Sequence, residues 1–134
     1  MTISSFDDLL TAAGQQPEPQ RLLLVFASAE LPPDSTAQQR EDFLAGRGGA
    51  LVPMMCVDKS PGELLSFATL LEESQQFGQK WDMVFAAALA GRAGVEPSAE
   101  VVEKALQRMV EAIKAGTLGT LIPFDRQGQA IRLG

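Results

Sequence analysis

Two stretches of the chain, residues 21–30 (RLLLVFASAE) and 81–91 (WDMVFAAALAG), are apolar at successive positions rather than at alternate ones. Side chains of a strand point in turn to its two faces, so a strand of this composition has to be covered on both sides, as in an α/β sheet. A buried helix is the competing reading of the first, and the alanines leave a helical reading of the second open.

What flanks these stretches reads as helix. SSFDDLLTAAG offers Ser5 as N-cap and Asp8 in the first turn. Phe6, Leu9, Leu10 and Ala13 follow at helical spacing, with Gly14 to close. The prolines of QQPEPQ make a linker. A turn and a helix from about Thr36 to Ala45 are expected next, ended by glycines. In LVPMMCVDK, Pro53 marks an edge position or a strand that starts after it. SPGELLSFATLLEESQQFG carries a helix start with Ser60 as N-cap, Pro61 at the first helical position and Glu63 completing a capping box; Leu64, Phe67, Ala68 and Leu71 form its apolar face and Gly78 its end. A further helix begins near Ser98, has a stripe of Val102, Ala105, Leu106, Met109, Val110 and Ile113, and stops at Gly116. TLIPFDRQGQAIRL closes the chain as two short strands around a turn at Gly128.

Helix and strand alternate, which predicts an α/β, single-domain layered fold over residues 1–134: a mixed sheet of about four to five strands, about four helices and a C-terminal β-hairpin. At 134 residues the chain has the length of one domain. The similar hexapeptides LAGRGG and LAGRAG lie in different contexts, one leading into a strand and one leaving one, so they are no repeat.

Charge narrows the partners. With 17 acidic and 11 basic residues the chain carries a net charge of −6, which repels a phosphate backbone and argues against nucleic acid. Residues 1–103 hold 15 acids and six bases, whereas residues 104–134 hold two acids and five bases, so the basic C-terminal end is expected to neutralise the acidic body, the competing reading being a docking stripe for an acidic partner. The longest apolar runs are far shorter than the roughly 20 residues a membrane helix needs, so no membrane partner is expected. One cysteine forms no internal disulfide and the first basic residue is Arg21; both features favour a cytoplasmic protein without a secretory signal.

The absence of histidine closes the histidine-dependent triads and dyads and the usual imidazole metal sites. No catalytic residues, metal or cofactor are assigned; Glu100 and Glu103 are read as solvated acids. GRGG and GRAG match neither of the common phosphate-binding glycine patterns. One ligand site is nevertheless conceivable. If the strand ending in Val57–Asp58–Lys59 and the strand ending at Gly91 run the same way, Asp58, Lys59, Ser60, Arg92 and Ser98 converge on one edge with Glu30 close by, and Lys59, Arg92 and the helix terminus at Ser60 would hold a small anion. Cys56 shares a strand face with Met54 and Asp58 amid apolar neighbours, so it is expected to pack rather than to be a reactive thiol. Trp81 and the Met54–Met55 pair are expected in the core.

PQRLLLVFASAELP, GGALVPMMCVDKSPGEL, WDMVFAAALAG and IPFDRQGQAIRL together resemble, over nearly the whole chain, a family of small proteobacterial proteins of uncharacterised function, some labelled "ribonucleotide reductase subunit alpha". That label implies cysteine-radical chemistry in a large barrel. The residues contradict it, because one cysteine does not supply both a radical thiol and a reducing pair, and 134 residues do not build the barrel. The leading expectation is a cytoplasmic, non-catalytic binding or accessory module acting through a protein partner or self-association. The alternative is a protein or enzyme for an anionic metabolite, with Lys59 and Arg92 as anion holders and Asp58 as acid or base.

Overall fold

The computed structural model describes residues 3–30, 36–38, 41, 50–64, 66–78, 80–115, 117 and 121–131. Helix α1 (Phe6–Gly14) leads into strand β1 (Gln20–Glu30). Strand β2 (Ala50–Lys59) follows, then a 3-10 turn (Pro61–Glu63), helix α2 (Phe67–Gln75), strand β3 (Met83–Ala90), helix α3 (Ala99–Ala115) and the short strand β4 (Ile122–Phe124). The helix expected over 36–45 and the stop at Gly116 lie largely or wholly outside the described residues.

Both doubly apolar stretches are strands, and they are neighbours. The sheet order is β2-β1-β3-β4, and all three pairings are antiparallel. The expected mixed sheet is therefore corrected to an antiparallel one. The two are covered on both faces over residues 22–27 of β1 and 83–86 of β3, as their composition requires, whereas Ala88 and Ala90 at the end of β3 are exposed. Leu22, Leu24 and Phe26 of β1 and Val84 and Ala86 of β3 pack with Phe6, Leu9 and Ala13 of α1, Phe67 and Leu70 of α2, and Trp81. The intervening Leu23, Val25 and Ala27 of β1, with Met83 and Phe85 of β3, meet Val102, Met109 and Ile113 of α3 on the other side. Period-two alternation thus feeds two cores, one under α1 and α2 and one under α3.

Ser5 caps α1 as expected: its Oγ accepts the Asp8 N–H at 3.2 Å, and Asp8 answers by accepting the Ser5 N–H at 3.2 Å. The next helix start departs from expectation. After Ser60 the chain makes only the three-residue 3-10 turn, and α2 begins one turn later with Ser66 as N-cap, its first N–H donating to Asp7 Oδ1 of α1 at 2.8 Å. That tertiary acceptor satisfies an orphan donor at Phe67, a position sequence spacing alone does not single out. At the C-terminus β4 turns back through Gly128, whose φ is +79°. The returning residues pair with the chain entry: the Ala130 N–H donates to the Ser4 carbonyl at 2.9 Å and the Phe6 N–H to the Gly128 carbonyl at 2.7 Å. The expected hairpin is thereby realised as one short strand and single bridges that clamp the start of α1.

Pro53 sits where the β1–β2 register slips between Phe26 and Ala27, and among the described residues β2 pairs with β1 alone. A proline and a bulge on an outer strand both discourage further strand pairing.

Candidate functional site

Because β2 and β3 each run antiparallel to the β1 strand between them, their carboxyl ends reach the same edge of the sheet, where β1 begins. The direction on which the sequence-derived site depends is met, although β1 and its Arg21 stand between the two ends. Glu30, at the other end of β1 opposite Ala50, is at the far edge.

Arg21 organises this edge. Its Nε donates to Asp58 Oδ2 at 2.7 Å and its Nη1 to Glu63 Oε1 at 3.0 Å, with Glu96 Oε1 at 4.0 Å. The Arg21 side chain is 22% exposed and that of Asp58 36%, so the pair is partly shielded from water. The Asp58 hydrogen bond foremost, aided by the charges of Asp58, Glu63 and Glu96, holds the Arg21 pKa above its ordinary value. Glu63 is also the cap of the 3-10 turn, accepting the Ser60 N–H and the Ser60 hydroxyl, each at 3.0 Å. Those two hydrogen bonds, backbone first, pull its pKa below the usual carboxylate value.

The residues singled out by sequence are therefore placed as follows. Asp58 is held by Arg21, and Ser60 by Glu63. Lys59, next along the strand, points to the opposite face and pairs with Glu73 of α2 at 3.3 Å. Ser98 caps α3, accepting the Val101 N–H at 3.3 Å. Arg92 is exposed on a two-residue turn, its N–H and carbonyl exchanging 2.9 Å hydrogen bonds with Val95, while Ala93 and Gly94 take positive φ angles of 52° and 78°. The GRAG segment is thus a tight reversal, and its Gly94 N–H is occupied by Glu18 Oε2 at 3.1 Å.

Cys56 corrects an expectation outright. It is exposed. It stands opposite Val25 on the outer strand, where a side chain has a strand neighbour on one side only among the described residues, and apolar sequence neighbours do not cover such a position. Trp81 is buried as expected, its Nε1 donating to Ser74 Oγ at 3.0 Å with Arg126 stacked 4.5 Å above the ring. Met55 packs partly against the core.

Beside the Arg21 cluster lies an open cleft of about 400 Å³. Its walls are the end of α1 and the following linker, from Ala13 and Gly14 through Pro17, Glu18 and Pro19 to Gln20, closed by Ser60, Pro61 and Glu96. The linker is pinned there, since the Pro19 carbonyl accepts the Gly91 N–H at 2.8 Å while Glu18 holds Gly94. Sequence reading passed over Glu18, Arg21 and Glu96 as site residues. Arg21 and Asp58 lie 37 residues apart, and only the β1–β2 register brings them together.

What this arrangement does chemically is hold charges in place. Asp58 is engaged by a cation that does not give up its proton, and among the described residues no group of three metal-ligating side chains gathers anywhere. Nor, among them, is any helix long and apolar enough to cross a membrane. Comparison of the chain with protein-family models, with curated proteins and with solved structures gives no match.

Proposed function

We propose that the chain is a cytoplasmic, non-catalytic binding or accessory module that works through a protein partner or through self-association. One observation carries this reading: the polar groups at the shared strand edge are engaged with one another, Asp58 and Glu63 by Arg21, Lys59 by Glu73 and Ser60 by Glu63. Groups so engaged stabilise the edge and shape its surface, whereas an acid–base catalyst or anion clamp needs them turned toward a substrate.

The anionic-metabolite reading asks Lys59 and Arg92 to converge. Lys59 instead faces α2, and the surface beside Arg92 presents Glu18 and Glu96, which oppose an anion. Support for the cytoplasm comes from Cys56, unpaired and open to solvent, a state that persists in a reducing compartment.

Sedimentation velocity over a wide concentration range, with a thermal-shift screen of anionic metabolites on wild type and Arg92→Ala, tests the reading. Concentration-dependent mass with no stabilising anion supports it. A metabolite that raises the melting temperature of wild type and not of Arg92→Ala overturns it.

A further inference from the structure

We infer that the cleft between the α1–β1 linker and the 3-10 turn is a docking groove for a lysine or arginine side chain presented by a basic segment of a protein partner. The inference rests on the binding-module reading and names its surface. The groove has walls of two kinds. Pro17, Pro19 and Pro61 offer apolar ring surface, while Glu96 and Glu18, one of whose oxygens is held by the Gly94 N–H, bring carboxylates to the same opening. A long basic side chain has the matching anatomy, an alkyl stem that lies along apolar surface and a cationic head that seeks carboxylates.

Charge complementarity decides the sign of the occupant. Among the described residues, Glu18, Asp58, Glu63 and Glu96 stand around the groove, and the Arg21 guanidinium beside them already donates to Asp58 and Glu63. Lys59 does not offset them, being paired with Glu73 on the opposite face of the sheet, and Arg92, exposed on the turn that Glu18 holds through Gly94, is not among the residues lining the groove. The local field therefore favours a cation, and the overall charge of −6 steers one toward the molecule. Openness decides its size. Pockets for free small molecules bury most of the ligand, whereas this groove is open along its side, which suits a side chain already anchored to a larger body. Its walls are also fixed in advance: the Pro19 carbonyl and Glu18 tie the linker to the β3 turn, and Glu63 ties Ser60 to the 3-10 turn. Binding then loses little conformational entropy on the groove's side.

Gly14 provides a test that leaves every charge in place. It is the last residue of α1, it lines the groove, and a Cβ built on it meets nothing within 4 Å. Phenylalanine at this position sets a ring at the groove wall without displacing a neighbour at its Cβ, and is expected to obstruct the groove. The experiment is a titration of 15N-labelled protein with hexalysine and hexa-arginine peptides, with hexaglutamate as control, followed by amide shifts and repeated for Glu96→Gln, Gly14→Phe and Gly14→Ala. The expected result is shifts confined to residues 13–20, 60–61 and 96, weakened by salt, with an affinity about two- to fivefold lower in Glu96→Gln. They are expected to vanish in Gly14→Phe and persist in Gly14→Ala, with circular dichroism showing both variants folded. Absence of localised shifts overturns the inference. So do equal shifts in a folded Gly14→Phe, which would mark diffuse surface attraction. If Gly14→Phe fails to fold, the Glu96→Gln and salt dependence decide the matter on their own. Should the peptides fail while sedimentation still shows association, the groove assignment falls and the binding-module reading stands.

Discussion

Gly128→Ala should be among the most damaging single-methyl additions in this chain. Two costs combine at this residue. Its φ of +79° lies in the left-handed region, where a side chain costs about 1–2 kcal/mol. The added Cβ would also lie 2.8 Å and 2.9 Å from ring carbons of Phe67, inside contact distance. Phe67 has little room to retreat, because its ring meets the Phe6 ring edge-on at 5.5 Å and the Trp81 ring at 6.5 Å. Forcing extra volume into such packing costs about a further 1–3 kcal/mol. A domain of this length has an unfolding entropy of about 0.28 kcal/mol/K, so a loss of about 2–5 kcal/mol lowers the melting temperature by about 7–18 °C. Thermal and urea unfolding followed by circular dichroism give both numbers, and Gly14→Ala, placed in open space at a helix end, should change stability by about 1 kcal/mol or less. If Gly128→Ala lies within about 0.5 kcal/mol of wild type, the claim that this turn is wedged against the α1–α2 core is refuted.

Three further outcomes follow from the same structure. Cys56 should be alkylated in the native protein at the rate of a free-thiol peptide, and reaction only after denaturation would contradict its exposed position on β2. Ala93→Gly should stabilise the chain by up to about 1 kcal/mol, since it relieves a positive φ at a residue with a side chain; urea midpoints measure it, and a loss of stability counts against the turn geometry. Ser60→Ala removes one of the two hydrogen bonds that depress Glu63, so the Glu63 pKa, read from carboxyl carbon shifts, should rise toward its ordinary value. Because the folded pKa is the lower one, the stabilisation from Glu63 is complete above the unfolded value and is lost as pH falls through the folded value. The variant should therefore lose less stability across the acidic limb than wild type does.

Legibility in the sequence followed the range of the interactions. The unbroken apolar runs of β1 and β3 demanded cover on two faces, and they have it over residues 22–27 and 83–86, the small alanines at the end of β3 being left partly or fully exposed. Ser5, Ser98 and the stripe of α3 were readable because a cap and a 3.6-residue period are local. Pro53 marked an outer strand for an equally local reason, the missing N–H. Strand direction and the cover over individual side chains were not readable, and two errors came from that. Cys56 has apolar neighbours in sequence yet lies exposed on β2, which among the described residues pairs with β1 alone, and burial depends on what packs over a strand, which the neighbouring residues in sequence do not carry. The parallel component of the sheet was inferred from alternation of elements, but β1 pairs antiparallel on both sides. Ser60 deceived for a different reason. It has the residue pattern of a helix start, and Glu63 does answer it, but Asp7 offers α2 a better entry at Phe67. At the strand edge, the sequence placed Asp58, Lys59, Ser60 and Arg92 at the ends of the correct strands. It missed Arg21, whose contact with Asp58 exists only in the folded register and turns a possible ligand site into an internally paired one.

The account stands on the strand-edge charges being spent on one another, and the coupling between Arg21 and Asp58 measures that directly. A double-mutant cycle with Arg21→Met, which keeps the apolar stem, and Asp58→Asn isolates the pair from its other contacts. A 2.7 Å charge-assisted hydrogen bond between partly shielded groups should give a coupling of about 1–2 kcal/mol that declines with added salt. A coupling below about 0.3 kcal/mol would show two charges merely adjacent, each free for a ligand, and would contradict the account.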